Sequence, residues 1–311
     1  MAQNRKRQKN RGQRPGAHRS GNPQVRHVLP PKARLKPLFK LYNDMTSTVD
    51  RLVRDNPVSS EDRLPRFDAE VLVRGVNSVK AAGLLMEQGH WEHAAGITRQ
   101  LFELLINMEH LASMEDREAG VLLYLRFGAL QFALEQQKDF LYNQMTGRPI
   151  DTQRLALLEH FLDVAFDDFK GKPRHDGTVS WVPSWSRKNA KTLAELSPSK
   201  MRVHQYQYLY AAWSEQAHAT PSSLIHNVFR EGNESWVDEV IESDDKKIVE
   251  TSSMTLMLFL ELWDALPYAP PMPTDKSKEW AEQMRDILAV PDLFEELDRH
   301  HQSGGSVTSG K

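Results

Sequence analysis

Residues 69–113, AEVLVRGVNSVKAAGLLMEQGHWEHAAGITRQLFELLINMEHLAS, decide the class of fold. Up to Gln88 the apolar residues recur at three- and four-residue intervals, the spacing that lines one side of an α-helix, and Gly89 then supplies the residue that commonly ends one. From His90 to about Ser113 the same period resumes. The stretch therefore reads as two antiparallel helices joined by a tight turn.

Outward from this hairpin the helical pattern continues. Ala33 to Arg54 reads as a short amphipathic helix, followed by a loop around Asn56, Pro57 and Pro65. Glu115 to Met145 is a long helical stretch that stops at Gly147 and Pro149. Asp151 is the expected N-cap of a helix to Lys170, with Leu155, Leu158, Phe161, Leu162, Ala165 and Phe166 along its apolar side. Gly171 to Trp185 breaks the pattern and holds Trp181 and Trp185, whose indoles need packing partners, so it reads as a structured loop. Short helices are expected at Arg187–Leu196 and Lys200–Ala219. Thr220 caps a further one, opened by Pro221 at the position where proline loses no hydrogen bond. Asp244 to Leu266 is the most apolar helix, ended by Pro267, Pro270, Pro271 and Pro273, and Asp275 to Leu297 reads as a peripheral helix. No strand pattern and no internal repeat emerges. The expected fold class is all-α, a multi-helix bundle with a disordered basic N-terminal tail.

Charge is spread unevenly. Residues 1–40 hold twelve Lys or Arg and no Asp or Glu, leaving 28 basic against 42 acidic residues in the remainder. A net charge of -2 thus hides a strongly cationic start and an acidic body. Residues 1–31 offer too little apolar surface to offset the entropy of ordering and are expected to be disordered. The remaining divisions are an N-terminal helix and loop at 32–66, a helical core domain at 67–268, peripheral C-terminal helices at 269–302 and a disordered tail at 303–311. With no cysteine, disulfides and thiolate metal sites are excluded, which fits a reducing compartment. The longest apolar run, Met254–Leu260, is too short to span a bilayer, and no hydrophobic segment follows the basic start as in a secretory signal. A cytoplasmic protein without membrane contact is expected.

Two groups of residues invite a functional reading. Tyr206, Tyr210, Ser214 and His218 recur every four residues and form one stripe, with Val203, Trp213 and Ala217 on its side and Gln205, Glu215 and Gln216 opposite. Either the stripe is a set of core groups satisfied by one another, or it lines a pocket in which His218 is base, ligand or substrate contact, oriented by Ser214 and Tyr210. Arg99, Glu103 and Asn107 also repeat at four-residue spacing, which places Arg99 and Glu103 within ion-pair reach. That pair is either an exposed one or faces a second layer, where the Tyr210 stripe is a candidate partner. His90 and His93 have the spacing of two metal ligands, but no further ligand matches them, so no metal and no cofactor is expected.

The clearest partner signal is the tail. Arg5, Lys6, Arg7, Lys9, Arg11, Arg14 and Arg19 form a flexible polycation suited to RNA or DNA, since neutralising phosphates releases counterions. No aromatic residue precedes Phe39, so the tail is not expected to stack on bases. A solubilising extension, or one that folds back on the acidic body, are the alternatives. The oligomeric state is left open by the sequence.

Arg99 to Glu103 in a hydrophobic helix, then Trp181 and Ser186, then Tyr206, Tyr210, Ser214 and His218, resemble in order and spacing a mainly bacterial "domain of unknown function" family numbered five-six-seven-seven. The resemblance covers roughly Ala69 to Leu266 and implies an all-helical intracellular protein without an established activity. The stripe is also similar, more remotely, to HEPN helical nucleases, in which an arginine some four to six residues before a histidine helps to cut RNA. His218 matches that histidine, whereas Ala212, Trp213 and Ser214 stand where the arginine would be. Three functions follow as expectations. The first is a helical protein with a polar pocket from Arg99, Glu103, Tyr206, Tyr210, Ser214, His218 and Trp181, tethered to nucleic acid by its tail. The second is a metal-independent ribonuclease using His218, Ser214 and Arg99, acting as a toxin or phage-defence effector. The third is a structural or partner-binding scaffold.

Overall fold

The computed structural model describes residues 31–173, 175, 179–212 and 236–288. Its long elements are all helices: α1 (Pro31–Asp55), α2 (Arg63–Glu87), α3 (Trp91–Ala112), α4 (Arg117–Met145), α5 (Thr152–Ala165), α6 (Ala190–Leu196), α7 (Met201–Gln207), α8 (Trp236–Asp264) and α9 (Thr274–Leu288). α7 runs on into a π-helical turn, Tyr208–Ala212, and a 3-10 turn at Asp167–Phe169 leads into strands β1 (Lys170–Pro173) and β2 (Val179–Trp181). The fold is all-α apart from this ribbon. No helix among the described residues is long and apolar enough to cross a membrane.

α3 lies against both α2 and α8, and α1 packs across α2 and α8. Helical spacing explains the arrangement. Leu38, Leu41, Tyr42, Met45 and Val49 put one face of α1 into the interior, Leu72, Val76 and Val79 do so for α2, and Leu101, Phe102 and Leu105 for α3. They meet Leu256, Phe259 and Leu262 of α8 in one continuous core. Burying each large apolar side chain contributes roughly 1.5–3 kcal/mol. α9 joins the same core through Trp280, which is fully buried and donates its indole N–H to Asp44 of α1 (2.8 Å).

The turn at Gly89 forms as the sequence predicts, with φ +81°, a conformation that costs glycine little. α4 and α5 form a side layer. Their N-caps are Asp116, which accepts from Ala119 N (2.9 Å), and Asp151, which accepts from Arg154 N (3.0 Å). Leu130 and Ala133 of α4 meet Leu162, Phe166 and Phe169 in a second, smaller core. Only part of the expected apolar side of α5 is covered, and Phe161 remains 50% exposed.

Three expectations need correction. The segment read as a loop without strands contains an antiparallel ribbon, with Lys170 opposite Trp181 and Pro173 opposite Val179. Four- and three-residue strands are too short for alternation to show in sequence. Gly171 is required there because a Cβ would stand 2.8 Å from the Ser180 carbonyl oxygen. The helix expected from Arg187 begins only at Ala190, since Arg187 has φ +59° and Asn189 supplies the cap, accepting from Thr192 N (2.9 Å). Gln205, expected on the solvent side, is buried, and so is Arg202, while Tyr206 and Tyr210 sit at the margin. The inward face of α7 is thus turned by about one residue from the expected stripe. A buried ion pair on Arg202 holds it there.

Candidate functional site

α3 carries Arg99, Glu103 and Asn107 on one face, one turn apart. The Arg99 guanidinium donates through Nε to Glu103 Oε1 (3.3 Å). The π-helical turn that follows α7 brings Tyr210 over this face. Its hydroxyl donates to the same Glu103 oxygen, and the Arg99 guanidinium lies 3.8 Å from the centre of the Tyr210 ring. Tyr206 stacks on Tyr210 with ring centres 4.5 Å apart. Burial, and then the Glu103 carboxylate, push the Tyr210 hydroxyl above the ordinary tyrosine range, so it stays a neutral donor.

Asn107 extends the cluster. Its Nδ2 donates to the Glu103 carbonyl (2.6 Å), and its Oδ1 accepts from the Trp185 indole (2.6 Å). Trp185 is only 6% exposed and packs against Tyr124 and His110. Lys188 stands 3.4 Å from His110 Nε2, and burial, then the Lys188 charge, lower the His110 pKa below its usual value. Glu103, Asn107, Tyr124, Trp185, Lys188 and Tyr210 line a cleft of about 420 Å³ between α3, α4, the 183–190 segment and the turn that follows α7. Its walls mix aromatic and apolar groups with the polar side chains of Asn107, Gln131, Ser184 and Asn189, with Glu103 as an acceptor and Lys188 as a cation. In small-molecule sites generally, a few placed polar groups among apolar walls fix a ligand's orientation.

The structure therefore brings Arg99, Glu103, Tyr206 and Tyr210 together. Trp181 does not join them; it packs beside the smaller core of α4 and α5, and Trp185 takes the place by the cleft. Ser214 and His218 lie outside the described residues, as do Arg5, Lys6, Arg7, Lys9, Arg11, Arg14 and Arg19. His90 and His93 stand at the start of α3 with ring centres 6.3 Å apart. Among the described residues no three His, Asp or Glu side chains gather as a metal site requires.

Sequence reasoning missed a second polar cluster behind the first. Arg202 of α7 is 3% exposed and binds Glu109 of α3 through Nη2 (2.6 Å) and Nε (3.0 Å), and Glu261 of α8 through Nη1 (2.8 Å). Gln205 accepts from the same Nη1, and Ser197 donates to Glu109. Burial raises the Glu261 pKa, against the lowering pull of Arg202. One signal was legible: Glu109 falls four residues after Leu105 and seven after Phe102, on the buried face of its helix, where a carboxylate needs a cation.

Residues 69–235 match a family described as "Family of unknown function (DUF5677)". The chain belongs to this family. The DUF5677 match spans every residue of the Arg99–Glu103–Tyr210 cluster, Trp185, Lys188 and Arg202, and it leaves out α1, α8 and α9, which complete the core. No curated protein and no solved structure matches the chain.

Proposed function

We propose that this DUF5677 member is a cytosolic helical protein that contacts RNA or DNA through its basic N-terminal segment and presents the Glu103 cleft to what it holds. One observation carries the reading. The cationic run does not stop at the tail but continues onto α1, where Lys32, Lys36 and Lys40 are all exposed at four-residue spacing. They form one stripe on a helix anchored in the core, roughly 12 Å long at 1.5 Å per residue. Strand phosphates therefore meet a fixed row of ammonium groups as well as Arg5, Lys6, Arg7, Lys9, Arg11, Arg14 and Arg19, and an acidic body behind them disfavours wrapping.

The test is the salt dependence of oligonucleotide binding. Replacing those seven tail residues by Gln in the full chain is expected to weaken binding and to flatten log K against log salt by about 0.7–0.9 for each phosphate no longer neutralised. Lys32, Lys36 and Lys40→Gln should subtract further. Equal affinity and equal slope in both variants would refute the proposal.

A second reading is a metal-independent ribonuclease of HEPN-like type, in a toxin or phage-defence role. The placement of Arg99 supports it: α3 supplies beside Tyr210 the cation that Ala212, Trp213 and Ser214 do not. In this reading His218 is the catalytic base, with Ser214 orienting it. His218→Ala and Arg99→Ala should each stop RNA cleavage with the fold retained, and full cleavage by either variant would exclude it.

A further inference from the structure

We infer that the cleft between α3, α4 and the 183–190 segment binds a nucleotide whose base carries an exocyclic amino group, with the amino N–H donating to Glu103 and the phosphate meeting Lys188. The inference deepens the nucleic-acid reading and takes from it only the ligand class.

Four features point the same way. First, a volume of about 420 Å³ falls within the range of small-molecule sites. Second, several polar groups of the cleft are committed, while Gln131 and the Asn189 amide nitrogen stay at its wall beside Glu103. Glu103 Oε1 already accepts from Arg99 and Tyr210, and both ends of the Asn107 amide are engaged, whereas Glu103 Oε2 accepts no hydrogen bond among the described residues. Among the described residues that leaves a carboxylate oxygen as an acceptor at the cleft, which suits a donor on the ligand. Third, a cation waits at the other end. Glu103 and His110 are seven residues apart on α3, about 10 Å along its axis, and Lys188 stands beside His110. That separation matches the reach of a nucleoside monophosphate from base edge to phosphate. Arg99 pairs with Glu103 from outside the cleft, and Lys188 is the cation among the lining residues, which suits a ligand that carries an anionic group at that end. Fourth, Gly128 lines the cleft on α4, and a Cβ there would meet nothing within 4 Å. The floor is left clear for a planar group against Tyr124, Phe127 and Trp185.

The carboxylate also sets the base preference. Guanine, adenine and cytosine each present an amino group to Glu103. Uracil places carbonyl oxygens on both sides of its single edge N–H, and one of them would face the carboxylate. An unpaired, desolvated acceptor of this kind costs enough to weaken binding by about tenfold.

The test is calorimetric titration of the full chain with GMP, AMP, CMP and UMP at fixed salt. The expected result is binding of the first three and about tenfold weaker binding of UMP. Glu103→Gln replaces an acceptor by an amide that can also donate, and it should bring UMP level with the others while Tyr210 keeps its acceptor. Lys188→Met should make GMP bind no better than guanosine. Gly128→Leu should abolish mononucleotide binding without lowering the thermal midpoint. Competition of GMP by a short single-stranded oligonucleotide would identify a strand as the source of the base, and lack of competition a free nucleotide; each supports the cleft. Retained GMP binding in the seven-residue tail variant supports the cleft independently of the tail. Absence of binding by all four mononucleotides, binding untouched by Gly128→Leu, or an unaltered uracil preference in Glu103→Gln would overturn the inference, even where tail-dependent oligonucleotide binding persists.

Discussion

Removing Arg202 should be among the most damaging single changes to this protein. Its guanidinium is 3% exposed and bonds two carboxylates and an amide, so Arg202→Ala leaves Glu109, 9% exposed, with Ser197 as its remaining side-chain partner. Breaking a buried ion pair from one side costs about 3–5 kcal/mol, because the other charge stays desolvated and uncompensated. At a urea dependence of about 3 kcal/mol per molar, the unfolding midpoint of the full chain at pH 7 should fall by roughly 1–1.7 M. The loss should also depend on pH. Burial already raises the Glu261 pKa in the intact protein, so ionising that carboxylate opposes folding, and removing Arg202 strengthens the opposition. The penalty is complete above the raised folded pKa and fades as pH falls toward the ordinary carboxylate range, where the group takes up a proton. The deficit should therefore be smaller at pH 5 than at pH 7. Replacing the pair by apolar groups, Arg202→Met with Glu109→Leu, should recover much of it. A cost below about 1 kcal/mol, or one identical at both pH values, would refute the reasoning.

Three other changes test separate parts of the fold. Gly128→Ala adds a Cβ into open space on a mid-helix residue, and should stabilise by about 0.5–1 kcal/mol, read as a higher thermal midpoint. Gly171→Ala forces a Cβ toward the Ser180 carbonyl and should destabilise the ribbon by roughly 1–3 kcal/mol, seen as faster proteolytic cleavage between 170 and 181. Asp44 accepts from Trp280 and Lys276, which lower its pKa in that order of weight, opposed in part by burial. Its stabilising contribution is present above the unfolded pKa and is lost as pH falls through the folded value. Asp44→Asn should accordingly be less stable at pH 7 and lose less on acidification to pH 3, as followed by circular dichroism.

Much of the architecture was legible because it rests on local chemistry. Gly89 ends one helix, Asp151 caps another, and the four-residue spacing of Arg99, Glu103 and Asn107 places them on one face whatever lies opposite. The link from that face to Tyr210 was legible only as a candidate. What sequence could not display is the partner across a long loop. Trp181 and Trp185 differ by four residues in a segment whose direction is set by a two-strand ribbon and by the positive φ of Arg187, and neither leaves a periodic trace. Gln205 was misplaced, and Arg202 passed over, for a related reason: a stripe of tyrosines looks like the buried side of a helix until the charges on α3 and α8 that claim Arg202 are known. Phe161 follows the apolar period of α5 yet stays half-exposed, since periodicity gives direction and not whether a neighbour arrives.

The bonds that seat α1 have a consequence for biosynthesis. Tyr42 donates to the Ser252 carbonyl, 210 positions later, and Asp44 waits for Trp280, 236 positions later. At roughly 5–20 residues per second, the ribosome needs on the order of ten to fifty seconds to deliver those partners. Through that interval the first helix has emerged with its lysines and without the surfaces that will cover Leu41 and Met45. The apolar face of α1 thus stays uncovered while most of the chain is made, and α9, the last of the described helices, is the one that closes over the first.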